Sequence, residues 1–550
     1  MAISLDDLAG KDGFTLAERG RHTWLPEPPR AQRHYTVISV DDHVVEPPHA
    51  FEGRLPAALQ DRAPRIVERA DGRQAWVYEG QELPNVGFNA VVGRPVSEYS
   101  FEPTRFDEMR RGAWDIASRI SDMDLNGVYG SLCFPSFLPG FTGQRLQLLA
   151  KDADLALASV RAWNDWMIED WAGDAPGRIV PLQLPYLLDP VVGAAEVRRN
   201  AERGFRAMTF SEAPHLLGLP SLHTGYWDPL MEACAETGTV VCLHVGSSGT
   251  SPATAPDAPS DTIGVLFFGY AMFAAVDWLY SKLPVRFPDL KICLSEGGIG
   301  WVAGLIDRLE HVRKYDSMYG TWNDVALSPA DTFRRNFWVC AIDDPSAFLQ
   351  RDVIGVENIL VESDYPHADS TWPHTQQRLA AQLAGLSDRE AARVTWQNAA
   401  YLFRHPVPVE VQRDPHAGRL LPERALHAFQ RPHAHRAAGD HPAGGQRGAR
   451  QLGPGVRAAH RPGHRARRAH RARDGRQRPL HVEQERLREE PRADRRRRRH
   501  RQRRPHLRPR RNLRRLPGAA GRRQLHRRRA DRQPQRPQLP GRAAVGDVAG

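Results

Sequence analysis

Short apolar runs rich in β-branched residues recur along the first 410 residues, and helical periods fill the gaps between them. The first runs from Tyr35 to His43 and reads YTVISVDDH. It has the near-continuous apolar character of a strand buried on both faces. Seven more follow at residues 127–135, 178–185, 205–210, 239–245, 290–296, 336–341 and 359–364. Helical patterns lie near 105–125, 141–172, 190–203, 226–237, 262–283, 301–316, 345–354 and 374–403. Such alternation implies parallel strands joined by helical crossovers, an α/β fold. Eight strands fit a closed (β/α)8 TIM barrel. A doubly wound open sheet is the alternative, weakened by the lack of a Gly-rich fingerprint after the first strand.

Three stretches break the rhythm. Residues 1–34 are polar and Pro-rich, and read as an arm wrapped on the body. Residues 47–104 hold no long helical period and many Gly and Pro, with one apparent hairpin at 74–80. An insertion of that length after a strand is usually a lid or binding loop, although a purely structural flap fits as well. The most apolar run, 263–280, carries Asp277 inside a larger alternating pattern. It reads as a buried helix rather than a membrane span.

Composition then divides the chain. Residues 411–550 contain 40 Arg, no Lys and 11 acidic residues, a net of +29 against +11 for the whole chain, so residues 1–410 carry −18. The basic character therefore belongs to the tail. From Asp414 onward there is no Ile, Met, Trp, Tyr, Cys, Ser or Thr, and Phe429 is the single aromatic residue. Such a segment cannot bury enough apolar surface to offset the entropy of ordering, and is expected to be disordered. One reading is a basic arm that binds nucleic acid through phosphates. The other is GC-rich DNA translated out of frame from about 405–415. The complete absence of Lys and Ser favours the second, and weighs against nucleic acid as a partner. Five cysteines form no CxxC pair and no even framework, and the N-terminus shows no basic and apolar leader pattern, so a reducing, cytoplasmic setting is expected.

In a barrel of this kind the chemistry sits at the C-terminal ends of the strands. The first strand ends in Asp41 and His43, which alternation places on one face, with Asp42 on the other. The fifth ends in His244, the sixth in Glu296, and the eighth in Asp364, with His367 just beyond. The fourth ends near Thr209 and Glu212 with no Lys. Singly, each has an ordinary explanation: a hydrogen-bonded core histidine, or an acid capping the next helix. Together, two imidazoles and several carboxylates at one end of the fold suit one divalent ion, zinc first, with manganese or iron possible.

The DxHxxEP pattern at 41–47, LHVG at 243–246, RFPDLKICLSEGGIGW at 286–301 and ILVESDYPHADSTWP at 359–373 resemble the amidohydrolase-related family. The resemblance is narrower to the branch that contains aminocarboxymuconate-semialdehyde decarboxylase and resorcylate decarboxylases, and it covers residues 35–404. It implies that Asp41 and His43 form the first-strand ligand pair, that His244 is the fifth-strand ligand, and that Asp364 binds metal and touches the reacting group. Glu296 stands where many relatives carry histidine, and an ionised glutamate cannot donate a hydrogen bond as imidazolium can. The missing fourth-strand Lys implies one metal rather than two.

The reading that follows is a mononuclear metal enzyme acting on a small carboxylated substrate of aromatic or enol type. Non-oxidative decarboxylation is slightly favoured over hydrolysis, with Asp364 as proton shuttle and Glu296 or His367 assisting. Trp301, Tyr365 and Trp372 are candidate pocket walls, though packing is the commoner fate of such residues. A homodimer is a possible assembly, and no membrane is implied. Competing classes are a nucleic-acid binder acting through the tail and a non-catalytic barrel scaffold. No GxSxG is present, so a serine hydrolase is disfavoured.

Overall fold

The eight strands expected from the pattern close into one parallel ring. In a computed structural model that describes residues 2–4, 23–100, 103–255, 257–315 and 318–413 they are β1 (Ile38–His43), β2 (Gly130–Phe134), β3 (Ile179–Val180 and Leu182–Gln183), β4 (Ala207–Ser211), β5 (Val240–His244), β6 (Ile292–Ser295), β7 (Phe337–Ala341) and β8 (Ile359–Val361). Each pairs in parallel with its neighbour, and β8 returns to β1 through Val361 and Ser39. The fold is thus a TIM barrel rather than an open sheet. β3 comes in two pieces because Pro181 has no N–H to give the ladder. Its carbonyl still accepts from Arg206 and Ala207, which carries the seam across to β4. The basic tail expected over 411–550 lies outside the described residues from 414 onward.

Helix ends follow short polar and glycine signals. Asp115, Asp152 and Asp189 each accept a first-turn backbone N–H, opening helices Ile116–Asn126, Ala153–Trp166 and Pro190–Arg203. Gly127 and Gly204 close the first and third in the left-handed conformation. Two long helical expectations are interrupted. The 141–172 stretch holds a short helix, Gln144–Leu148, before the main one. The 374–403 stretch breaks after Thr375–Gln382 and restarts at Asp388, where Ser387 and Glu390 form a reciprocal cap.

The insertion carries a three-stranded antiparallel sheet, Arg65–Glu68, Gln74–Tyr78 and Gln81–Leu83. The expected hairpin turns at Glu79 and Gly80, both at positive φ, as a tight two-residue connection requires. Trp76 and Tyr78 are buried, and the Tyr78 hydroxyl donates to the Leu146 carbonyl. The insertion is therefore packed on the barrel wall. Helix Asp261–Tyr280 is long and apolar enough to cross a membrane by length and composition. Here one side of it, including Tyr270, Ala271, Ala274, Ala275 and Trp278, is buried against the barrel.

Inside the ring, Cys242, Cys293 and Cys340 on β5, β6 and β7 are fully buried and free. Cys293 and Cys340 stand sulfur to sulfur at 3.6 Å. They fill interior space as small hydrophobes.

Candidate metal centre

Backbone hydrogen bonds bring the ends of β1 and β8 together. The Asp364 N–H donates to the Asp41 carbonyl at 2.9 Å, and the His43 N–H to the Tyr365 carbonyl at 2.7 Å. Asp41, His43, Asp364 and His367 thereby share one corner of the barrel mouth. His244 reaches the same point from β5, with its Nε2 at 3.0 Å from His43 Nε2. Glu296 arrives from β6, its Oε2 at 3.2 Å from His244 Nε2. Asp41 Oδ1 is 3.6 Å from both imidazole Nε2 atoms, and Asp364 Oδ1 is 3.5 Å from that of His43. His367 stacks on His43 at 3.8 Å between ring centroids and places Nδ1 3.0 Å from Asp364 Oδ1.

Every sequence-predicted site residue is therefore in one cluster. Asp41, His43, His244 and Asp364 are fully buried, and Glu296, 12 % exposed, keeps an opening to solvent. Neither Asp364 nor Glu296 caps a helix. Both lie at positive φ, 50° and 58°, a conformation that costs a non-glycine residue of order 1 kcal/mol and that clusters at functional sites.

The donor set fits a cation. His244 Nδ1 lies 2.6 Å from the Val245 carbonyl, so it carries the proton and turns the lone pair of Nε2 into the cluster. Both oxygens of Asp41 and both of Asp364 are buried without a well-formed hydrogen bond. Orphaned buried carboxylate oxygens are costly unless something positive satisfies them. Among the described residues no Lys or Arg forms an ion pair with Asp41, Glu296 or Asp364. Oxygen and nitrogen ligands about 2.1 Å from one ion stand roughly 3.0–3.5 Å apart, close to the 3.0–3.6 Å between these atoms.

Electrostatics point the same way. Burial, and then the neighbouring carboxylates, push Asp41 well above the usual carboxylate range. Burial and the Asp364 charge do the same to Glu296. Burial lowers His244 and His367 to about 3, and burial with the other two imidazoles takes His43 well down. The imidazoles are thus neutral and ready to ligate, while the acids need a positive charge to ionise.

Several parts were invisible in the sequence. Phe141, on the loop after β2, lies 4.2 Å from the His244 ring and 5.1 Å from that of His43. Phe134 flanks the same two rings, and Phe88, deep in the insertion, meets His367 edge to face at 6.2 Å. A period-based reading gives no sign that these three phenylalanines form one wall. Glu362, also buried, accepts the Glu296 N–H and orients the β6 turn from β8. Glu212 accepts the Gly246 and Ser248 N–H groups and so pins the loop that follows His244. By contrast, Trp301, Tyr365 and Trp372 pack rather than line the cluster. Trp301 lies against Val245, Tyr270 and Ala271, and the other two are buried with Val92.

Comparison with known proteins agrees with this architecture. A family model described as Amidohydrolase matches residues 32–405. The structure resembles an amidohydrolase from Mycobacterium avium subsp. paratuberculosis K-10, with 24% identity, TM-score 0.54, and 67% of this chain and 99% of that one covered. It resembles apo IDCase from Metarhizium anisopliae at 16% identity and TM-score 0.50, covering 69% and 98%. The 5-carboxyvanillate decarboxylase from Sphingomonas paucimobilis aligns at 21% identity and TM-score 0.48, covering 68% and 100%. No curated protein matches in sequence. With the family model spanning most of the chain and the barrel closed around the predicted strand ends, the chain belongs to the amidohydrolase family.

Proposed function

We propose that Asp41, His43, His244 and Asp364 hold one divalent cation, zinc first and manganese or iron otherwise, in an enzyme that removes carboxylate from a small aromatic or enol-type acid. The observation that carries this reading is the set of four orphaned carboxylate oxygens facing two neutral imidazole nitrogens in one buried cluster. The bound ion would supply Lewis acidity toward a substrate oxygen. The rest is work for the chain's own side chains. Phe88, Phe134 and Phe141 offer an apolar aromatic wall for a planar substrate. Glu296, whose pKa burial raises, is placed to deliver a proton to the ring or enol carbon as the carbon–carbon bond breaks and CO2 departs. Asp364 returns a proton to the site, with His367 Nδ1 beside it as relay.

Hydrolysis is the second reading. There Asp364 would take a proton from the attacking water, and Glu296 would protonate the leaving group. The wholly apolar wall and the branch resemblance favour decarboxylation. We place the enzyme in the cytoplasm, on the strength of five free, buried cysteines.

Metal analysis with activity tests the reading. Wild type should hold about one equivalent of metal, and Asp41→Ala with His244→Ala should abolish both metal and turnover. Full metal and activity in that double variant would remove the site. Carbon dioxide release, set against incorporation of water oxygen into product, separates the two reactions.

A further inference from the structure

We propose that Arg119 and Asp122 are positioning residues for the metal centre, through which one outer helix fixes the ligand-bearing ends of β1 and β8. The inference rests on the metal reading above. Both residues lie on helix Ile116–Asn126, three positions apart and so on one face. Both are buried. Neither bonds a ligand side chain, and each acts through the residue it holds.

Arg119 holds the end of β1. Its Nη2 donates to the His43 carbonyl, its Nε to the Gly112 carbonyl at 2.7 Å and its Nη1 to Cys133 Sγ at 3.3 Å. The guanidinium carbon lies 4.3 Å from the Tyr365 ring centroid and 5.3 Å from that of Trp171. Among the described residues this buried cation forms no ion pair. A buried charge is costly, and an apolar side chain of similar volume is often the more stable choice. Stability alone therefore gives little reason for a guanidinium here. A planar fork that reaches two carbonyls on separate segments while stacking on a ring does give one.

Asp122 holds the turn after β8. Tyr365 follows Asp364 directly, and its hydroxyl donates to Asp122. Arg110 in turn grips both Asp122 oxygens, at 2.6 and 2.8 Å. The Tyr365 N–H goes to Asp42, and its carbonyl takes the His43 N–H. With its ring face under Arg119, Tyr365 is engaged at hydroxyl, ring, N–H and carbonyl, so the main chain beside Asp364 is held at four points.

Strand pairing leaves this corner in need of such support. The β8–β1 ladder is the shortest in the ring, with the single register pair Val361 and Ser39. On its other side β1 shifts register against β2 between Ser39 and Asp42. The ladders thus give out just below the ligands, and helix Ile116–Asn126 takes over the spacing of His43 and Asp364. Removing a residue that orients a ligand typically costs roughly 10–100-fold in metal affinity. Arg178 is a matched control, because it makes the same kind of clamp just before β2, at the opposite end of the strands. Its Nε donates to the Tyr129 carbonyl at 2.6 Å, Nη2 pairs with Asp124 at 2.7 Å, and its guanidinium lies 5.6 Å from the Tyr129 ring.

Zinc affinity of the full chain, measured by competition with a chromophoric chelator, tests the role alongside chemical denaturation. Arg119→Met should lose at least about tenfold in zinc affinity. Arg119→Lys, which keeps a donor for the His43 carbonyl, should fall between it and wild type. Asp122→Asn, close in size to the native residue, should lose at least about threefold, and it carries the test if Arg119→Met does not fold. Arg178→Met should lose stability yet bind zinc within about twofold of wild type. With cobalt in place of zinc, the visible ligand-field bands should move in Arg119→Met and Asp122→Asn and stay in Arg178→Met. Wild-type zinc affinity with an unmoved cobalt spectrum would remove the residue concerned from the role, and an equal loss in Arg178→Met would overturn it for both. Failure of wild type to take up zinc would instead remove the metal reading, and this inference with it.

Discussion

Asp41 and Asp42 are adjacent on one strand, equally buried, and chemically opposite. Asp42 turns away from the barrel mouth and is satisfied by Ser39, Ser131 and Ser363 hydroxyls and the Tyr365 N–H. It ties β1 to β2 and to the turn after β8. The Asp41 carboxylate turns into the mouth and accepts no hydrogen bond. The fold thus supplies donors generously to one carboxylate and withholds them from its neighbour. Burial is the same for both, so it is the supply of partners that separates a structural acid from a candidate ligand.

The sharpest way to break this contrast is to truncate each acid. Asp41→Ala should cost at least a thousandfold in turnover, about 4 kcal/mol of barrier, and empty the site by elemental analysis. Its thermal stability without metal should stay at or above that of metal-free wild type, because it removes a buried carboxyl group whose oxygens have no hydrogen-bond partner. Asp42→Ala should do the reverse to the fold. Four donors lose their acceptor, and chemical denaturation should report a loss of about 3–4 kcal/mol. Equal destabilisation by the two variants would erase the distinction.

A third acid of the same segment sharpens the comparison through pH. Glu46 accepts from the Ser136 N–H and the Trp163 indole, but burial outweighs both and raises it from 4.5 to about 7. Between those values the folded chain keeps a proton that the unfolded chain has released. Stability must therefore fall as pH rises through this window. Glu46→Gln, which keeps an acceptor and cannot ionise, should flatten the fall by on the order of 3 kcal/mol in denaturation midpoints compared at pH 4.5 and 7.5. A parallel profile for both proteins would refute the assignment.

Smaller effects belong to the wall and the tail. Phe141→Ala should lower kcat/KM for an aromatic acid about tenfold, the scale of one buried aromatic contact, with metal content unchanged. Ending the chain after Arg413 should alter turnover less than twofold. If the tail instead serves nucleic acid, full-length protein will bind it with an affinity that falls steeply with salt, and the shortened chain will not.

Much of this was legible beforehand. The runs that became β1–β8 were apolar enough to mark strands, and each predicted site residue stood where such a run broke into polarity. Strand alternation alone separated Asp41 and His43 from Asp42. The phenylalanine wall left no such mark, since Phe88 sits in an irregular segment where no period operates and Phe141 stands in a turn that the helical spacing of 141–172 had absorbed. Nor could the interruption of 141–172 be read, because apolar spacing on both sides of it was helical.

The order of residues by itself determined a repeating strand–helix chain with acids and imidazoles at one end of four strands, because period and alternation are local properties. Only closure of the ring decided that His43 and His244, 201 positions apart, would meet at hydrogen-bond distance. Closure also decided which carboxylate found hydroxyl partners and which was left facing its own kind. Those outcomes depend on distances between distant segments, and no local pattern encodes them.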